Sequence, residues 1–514
     1  MTSSVNVCQR THQIEVESLR ESDKVRHSLL LIKGRLLPSC SSGNQLTATL
    51  SLRRSKREQL TQLSAVGEFK LLFDLESESD KESQEVQEEE PCELQLNCCS
   101  SKRLLQFSYQ RRLSTYRVQP LYLLCRPSDH DDEPAESEQL QRERCTLIDL
   151  NLRLVQCIYA HKLQAAGYAN RTFSLNGTCQ IFRSQLSGAT VRGCGEDELW
   201  QRFASEILAC PNWGQQLHLK FIAFIGCTQY DGAGVAASGD YSYANIRRNL
   251  KAHAALGGGG LALFGSGHFY AWPRRFAEIG ECIRSTRRVD VTRLPDESNY
   301  RRTYGGVYAS TLGAVCHELG HCFDLGHTID GVMGHGFDFL NRVLTVDQPT
   351  EHLPQRIVAA AAVAATDAST SLVRPRFTQL KLKKPAGSEY LDTYHEQRRN
   401  DSFYFTNNCA VILAQHRWMR PDLEPQAQKQ QPHIELLSAS AEIVSSIPLR
   451  LIELRCNLNS LVAHYEVFEE QQQAHRFQLP AALWHLLTTQ RTHYVFILTI
   501  DGDTKRLTCD NASN

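Results

Sequence analysis

Between residues 28 and 125 the apolar positions come in short runs, several of them alternating with polar ones. Residues 28–32, 45–50, 69–73 and 94–96 are of this kind, parted by polar turns, and residues 121–125 close the set. Alternation puts every second side chain on one face, so the segment is expected to form a small β-sandwich. An acidic stretch, residues 76–90, interrupts it as a solvated insertion. Residues 128–143 are again densely charged and read as a linker. The period then changes. Leu147, Ile148, Leu150, Leu152, Val155, Ile158 and Leu163 lie close to helical spacing, predicting a long amphipathic helix over 145–166. A strand near 179–182, a helix over 197–208 and a near-continuous apolar strand at 217–227 follow. That order implies a twisted, mainly parallel sheet with helices against it.

Four glycines, residues 257–260, precede Leu261, Ala262, Leu263 and Phe264. A phosphate-cradling loop needs a helix to begin just after its glycines, and none is predicted here. The stretch therefore reads as a glycine turn leading into an edge strand, with His268 beyond it as a surface or packing residue. Residues 308–315 are small and apolar, the make-up of a buried helix. An alanine-rich piece at 357–365 is expected to be a loop helix or part of a variable insertion that runs to residue 371. Apolar runs at 449–454, 461–465 and 494–500, the last followed by Asp501-Gly502-Asp503, predict a β-rich C-terminal region in which no chemistry stands out.

Composition narrows the setting. A chain of 514 residues, 41% of them hydrophobic, can bury several cores, and two to four domains are expected. A net charge of -1 gives no reason to expect nucleic acid or an anionic membrane as partner. The first 26 residues lack an apolar h-region, and no run of eighteen apolar residues occurs. A cytoplasmic protein is expected, with the nucleus open, and with no signal peptide or transmembrane segment. Arg53-Arg54-Ser55-Lys56-Arg57 is read as a solvated strand end before it is read as an import signal. The 18 cysteines are irregularly spaced, which favours reduced thiols over a disulfide framework. Cys98-Cys99 and the pair Cys316/Cys322 invite a second metal, but no CxxC occurs and that reading is set aside.

The chemistry concentrates in Cys316-His317-Glu318-Leu319-Gly320-His321-Cys322-Phe323-Asp324-Leu325-Gly326-His327. On a helix, His317 and His321 share a face and can offer two imidazole nitrogens to one ion. Glu318, one position round, can touch a metal-bound water without being a ligand. The helix must then end so that the chain turns back with His327. Three protein ligands with a fourth position open is the arrangement of a catalytic zinc site, whereas structural sites are closed by four. From this composition H-E-x-x-H arises by chance in roughly one chain of this length in twenty-five, and the third histidine lowers that by more than an order of magnitude. Met333 adds independent weight, because the chain has only three methionines.

These residues resemble the signature of the metzincin clan of zinc endopeptidases, H-E-x-x-H-x-x-G-x-x-H followed by a Met-turn. More narrowly, residues 307–343 resemble a eukaryotic family of putative zinc metallopeptidases. The resemblance implies His317, His321 and His327 as ligands of one Zn2+ per chain, Glu318 as general base and Met333 as the Met-turn floor. It also implies an edge strand that pairs with substrate, placed at Leu261, Ala262, Leu263 and Phe264. Metzincins often supply a tyrosine after the Met-turn to stabilise the oxyanion. None occurs here, and His335 is the candidate for that role or for an accessory ligand, a structural role being equally open. Asp324 stands where the family has glycine, and aspartate is among the few residues that tolerate the left-handed conformation required there.

The expected fold is thus α+β and multidomain. A metzincin-like catalytic domain (144–347) is flanked by β-sandwich-like N-terminal (1–126) and C-terminal (377–514) domains, with a charged linker (127–143) and an Ala-rich connection (348–376). The expected function is zinc-dependent endopeptidase action on a peptide or protein substrate, with Glu318 taking a proton from the attacking water and returning it to the leaving amine. A catalytically silent scaffold of the same fold and a zinc hydrolase of non-peptide amides are the alternatives.

Overall fold

The computed structural model describes residues 8, 11–40, 45–53, 55–76, 89–112, 114–127, 136–214, 216–353, 389–420 and 432–508. Most of the acidic insertion, residues 128–135 of the charged linker and the alanine-rich piece lie outside them. The described residues form a mixed α/β fold with six sheets.

The N-terminal strands build two sheets around one core. Gln13–Val16, Leu29–Leu37 and Glu68–Asp74 form the first. Lys24–Val25, Ser101–Tyr109, Glu90–Cys98, Gln45–Ser51 and Lys56–Gln62, in that spatial order, form the second. The alternation works as pattern reasoning requires: Leu30, Ile32, Leu71 and Phe73 meet Leu46, Leu50, Leu94 and Leu96 in the space between. Leu29 and Leu31 point the other way, into the core of the following domain. The strand is therefore apolar on both faces, which is why residues 29–32 do not alternate.

Residues 121–125 do not close this set. They belong to Arg117–Arg126, an interior strand of a six-stranded sheet in the next domain. Ser174–Leu175 and Gln180–Ser187 pair with one side of it, and Leu219–Ile225 pairs with the other, all parallel. Pro120 sits opposite the gap between the two short neighbours, where the missing N–H breaks no ladder on that side. Leu261–Gly265 comes next, also parallel, and Ala255–Gly258 lies antiparallel at the rim. Alternate residues of the inner strands feed two cores, Ile222, Phe224, Ala262 and Phe264 on one face and Phe221, Ala223, Leu261 and Leu263 on the other. The helix Glu138–Ala165 and the helix Tyr304–Cys322 cover the first face, and Glu196–Ala209 covers the second. The long helix starts inside the expected linker, because Ser137 caps it by accepting from the Leu140 N–H.

The C-terminal region carries a three-stranded sheet (Ile434–Leu437, Glu442–Ser445, Arg476–Gln478) and a four-stranded one. In the latter Leu449–Cys456 and His493–Thr499 are central, flanked by Val462–Val467 and Thr504–Leu507. Leu449, Ile452, Leu454, Val495 and Ile497 share a core with Ile434, Leu436 and Ile443 of the smaller sheet. Leu451, Tyr494, Phe496 and Leu498 face the opposite way, into the same core as the helix Tyr304–Cys322. This region is welded to its neighbour. Among the described residues no helix is long and apolar enough to cross a membrane.

Candidate metal centre

Thr303 opens the helix Tyr304–Cys322 by accepting from the Gly306 N–H at 3.1 Å. The helix is buried on nearly all sides, and small residues let its neighbours come close. At Gly320 an added Cβ would lie 2.7 Å from the Met333 sulfur, and at Gly313 it would lie 1.9 Å from the Phe337 carbonyl oxygen. The helix ends where Asp324 takes φ 66°, the left-handed conformation expected of it. The Leu325 N–H returns to the Gly320 carbonyl at 3.1 Å and the Asp324 N–H to that of His321 at 3.2 Å. Arg455 holds the Asp324 carbonyl at 2.8 Å.

That turn brings His327 beside the helical pair. The His321 Nε2 lies 3.1 Å from the Nε2 of His317 and 3.1 Å from that of His327. Each ring is oriented from behind by a backbone carbonyl: Val332 for His317 at 2.7 Å, Leu325 for His321 at 2.9 Å and Asn459 for His327. Each Nδ1 therefore donates, and each Nε2 presents a lone pair. Lone pairs this close repel unless a cation lies among them. Two metal–nitrogen bonds of about 2.0–2.1 Å at a tetrahedral angle set their nitrogens roughly 3.3 Å apart, so the donor set fits a metal ion. Met333 is buried beneath the helix, its carbonyl accepting from the Thr328 N–H at 3.1 Å.

Glu318 lines the same cleft as His317 and His327, and its Oε2 accepts from the Gly257 N–H at 2.7 Å. Gly257 belongs to the rim strand Ala255–Gly258, which corrects the expected edge strand. Leu261, Ala262, Leu263 and Phe264 pair on both sides and are buried. Their unbroken apolar run marks an interior strand, and only Gly259 and Gly260 separate the two strands, Gly259 at φ 54°. Along the rim, alternate N–H groups meet carboxylates: Ala255 donates to Glu196 at 2.6 Å and Gly257 to Glu318.

A cleft of about 440 Å³ opens in front of these groups. Its lining includes His317, Glu318, His327, Met333 and His335, with His335 half-buried. Several lining residues escaped the sequence reading. Tyr243, Glu196, Arg247 and Glu297 lie outside the histidine motif, and Tyr243 adds a phenol to the cleft wall. Burial raises the Glu196 carboxyl above the usual carboxylate range, against the pull of Arg247. Asn459 and Leu461 bring the C-terminal region into the wall. The His327 N–H donates to the Ser460 carbonyl at 3.1 Å, and the Val462 N–H donates to that of His327 at 2.9 Å.

Behind the cleft, Arg301 is fully buried. It donates to the Ser298 carbonyl (2.8 Å), Asn341 Oδ1 (3.0 Å) and Ser310 Oγ (2.8 Å). Ser310 in turn donates to Asp338 at 2.7 Å. Burial pushes the Asp338 carboxyl up to about 7, although the Ser310 bond and Arg301 both pull it down. His268 is buried, 3.6 Å from Glu297, and takes no part in the three-histidine group.

A family model described as a putative peptidase family matches residues 13–417. A protein of Saccharomyces cerevisiae named putative zinc metalloproteinase is 36% identical over 97 residues, 18% of this chain and 14% of that protein. One of Schizosaccharomyces pombe with the same name is 22% identical over 236 residues, 40% of this chain and 34% of that protein. The matched segments thus span well under half of either relative.

Proposed function

This chain belongs to the putative peptidase family whose model it matches, and we propose that it is a zinc-dependent endopeptidase acting on peptides or proteins. The observation that carries the reading is the meeting of three Nε2 lone pairs with the Glu318 carboxylate beside them, in a cleft bounded by a sheet rim. Both relatives are named for zinc, and three histidines with a position left open suit that ion. The third histidine, the buried Met333 and a rim strand antiparallel to its sheet support a metzincin-like site.

When bound, zinc acidifies water and withdraws electrons from a carbonyl. The protein supplies the proton handling and the positioning. Glu318 takes the proton of the attacking water on a carboxylate oxygen and returns it to the leaving nitrogen. Its bond to Gly257 fixes the carboxylate against the strand that we propose receives the substrate backbone by β-augmentation, now Ala255–Gly258. Glu196, Asp197 and Glu297 line the cleft against a single guanidinium, Arg247. That balance favours a substrate with basic or donor-rich side chains. Tyr243 and His335 are the candidate oxyanion donors. We place the protein in the cytoplasm or nucleus on the sequence grounds above.

A peptide-library digest tests the reading. Wild type cleaves internal bonds, while Glu318→Ala keeps its metal and loses the activity by at least about 10²-fold. A fully metallated wild type that cleaves nothing defeats the proposal in favour of a binding scaffold.

A further inference from the structure

The described residues hold a second group with metal-ligand chemistry, far in sequence from the histidine triad: Cys8, His12, Cys40 and Cys99. We propose that these four residues form a structural zinc site that pins together the two sheets of the N-terminal domain.

The ligand atoms all lie within 4.8 Å of one another. The Cys8 Sγ is 3.2 Å from the His12 Nε2, and the Cys40 Sγ is 3.9 Å from the Cys99 Sγ. A tetrahedral zinc with bonds of about 2.3 Å to sulfur and 2.0–2.1 Å to nitrogen sets sulfurs roughly 3.8 Å apart, and sulfur and nitrogen roughly 3.5 Å apart. The two pairs above lie within about 0.3 Å of those values, and the remaining pairs lie within 4.8 Å.

The His12 ring is built for ligation. It is buried, and its Nδ1 donates to the Pro38 carbonyl at 2.8 Å, which leaves the Nε2 lone pair directed at the thiols. Its backbone N–H is tied to the Ser101 hydroxyl at 3.0 Å. Cys99 takes φ 54° in the turn between Glu90–Cys98 and Ser101–Tyr109, an uncommon conformation for a side-chain-bearing residue.

Topology gives the group its purpose. Cys8 and His12 precede Gln13–Val16 and Cys40 follows Leu29–Leu37, two strands of the first sheet, while Cys99 sits on a hairpin of the second. One ion there joins the sheets at one end. Three thiolates and an imidazole close the coordination shell, as in structural zinc sites, and thiolates select zinc over hard cations. The proposed ligands converge from three segments in space, which is why no CxxC marks them in the sequence.

Elemental analysis of the full chain, purified without chelators, separates the two sites. Wild type carries two zinc per chain. Cys40→Ser and Cys99→Ser each carry one, His317→Ala with His321→Ala carries one, and the combination carries none. Cobalt in wild type gives the near-ultraviolet charge-transfer absorption of thiolate ligands, which a three-histidine site cannot produce. That readout stands even where a cysteine variant fails to fold. A wild type whose zinc is abolished by the histidine changes, a Cys99→Ser protein that keeps two ions, or a Cys40–Cys99 disulfide found by mass mapping overturns the proposal.

Discussion

Gly257 and Gly258 are neighbours in the rim strand, yet the structure assigns alanine opposite consequences at the two. A Cβ on Gly257 would stand 1.9 Å from the Glu318 carbonyl oxygen and 2.6 Å from its carbonyl carbon. Both are main-chain atoms of the ligand helix and cannot swing away. Non-bonded heavy atoms settle at about 3.5–4.0 Å, so strand and helix must part by more than about 1 Å. Overpacking of this kind costs roughly 1–3 kcal/mol. The same shift takes the Gly257 N–H from Glu318, and a misplacement of about 1 Å costs on the order of 10²-fold in rate. At Gly258 nothing lies within 4 Å of an added Cβ, so Gly258→Ala is expected to match wild type or gain a few tenths of a kcal/mol. Thermal unfolding and peptide cleavage on both variants, with metal content as control, read out the difference. If Gly257→Ala were as stable and as active as Gly258→Ala, the close approach of strand to helix would be wrong, and with it the placing of substrate along this strand.

Three further outcomes follow from the same packing. Asp324→Gly should unfold in urea within about 1 kcal/mol of wild type. Asp324→Val should lose roughly 1–2 kcal/mol at φ 66°, and equal stability of the two would refute the left-handed helix end. The Asp338 carboxyl, pushed up to about 7 from 3.8, keeps its proton in the folded chain where the unfolded chain has released it. Its contribution to stability is full below about pH 4 and is lost as pH rises towards 7, by at most about 4 kcal/mol. Asp338→Asn should therefore gain on wild type across that window in pH-dependent unfolding, and parallel curves would exclude the buried carboxyl as the cause. A chain ending at Arg420 keeps all three histidines but loses the carbonyls of Asn459 and Ser460 that hold His327. Elemental analysis should find the histidine-site metal gone, and full retention would make the C-terminal region dispensable to the centre.

How much of this was legible depended on distance along the chain. His317, His321 and His327 lie within eleven residues, so helical spacing and one turn suffice to bring them together, and Asp324 declared its own conformation. The rim strand was misplaced by a few residues because four consecutive glycines hide where strand ends and turn begins. The unbroken apolar run from Leu261 to Phe264 was the available signal that it is interior. Residues 117–126 misled for a related reason: an apolar strand next to other apolar strands does not announce which sheet it joins. The anchors of His327 were not legible at all, because they are backbone carbonyls, which every residue has. The group of Cys8, His12, Cys40 and Cys99 lacked any motif, since its members are joined only by the pairing of the sheets.

The hold of the C-terminal sheet on His327 has a consequence for the timing of synthesis. Asn459 lies 132 residues beyond the histidine it orients. At about 5–20 residues per second, the ribosome needs on the order of ten seconds to make that stretch once His327 has been added. Through that interval the nascent chain has its helix and Glu318, but His327 lacks the carbonyl that orients its ring. Under the proposed function, the centre is completed only when the C-terminal sheet has folded against it, well after the helix is made.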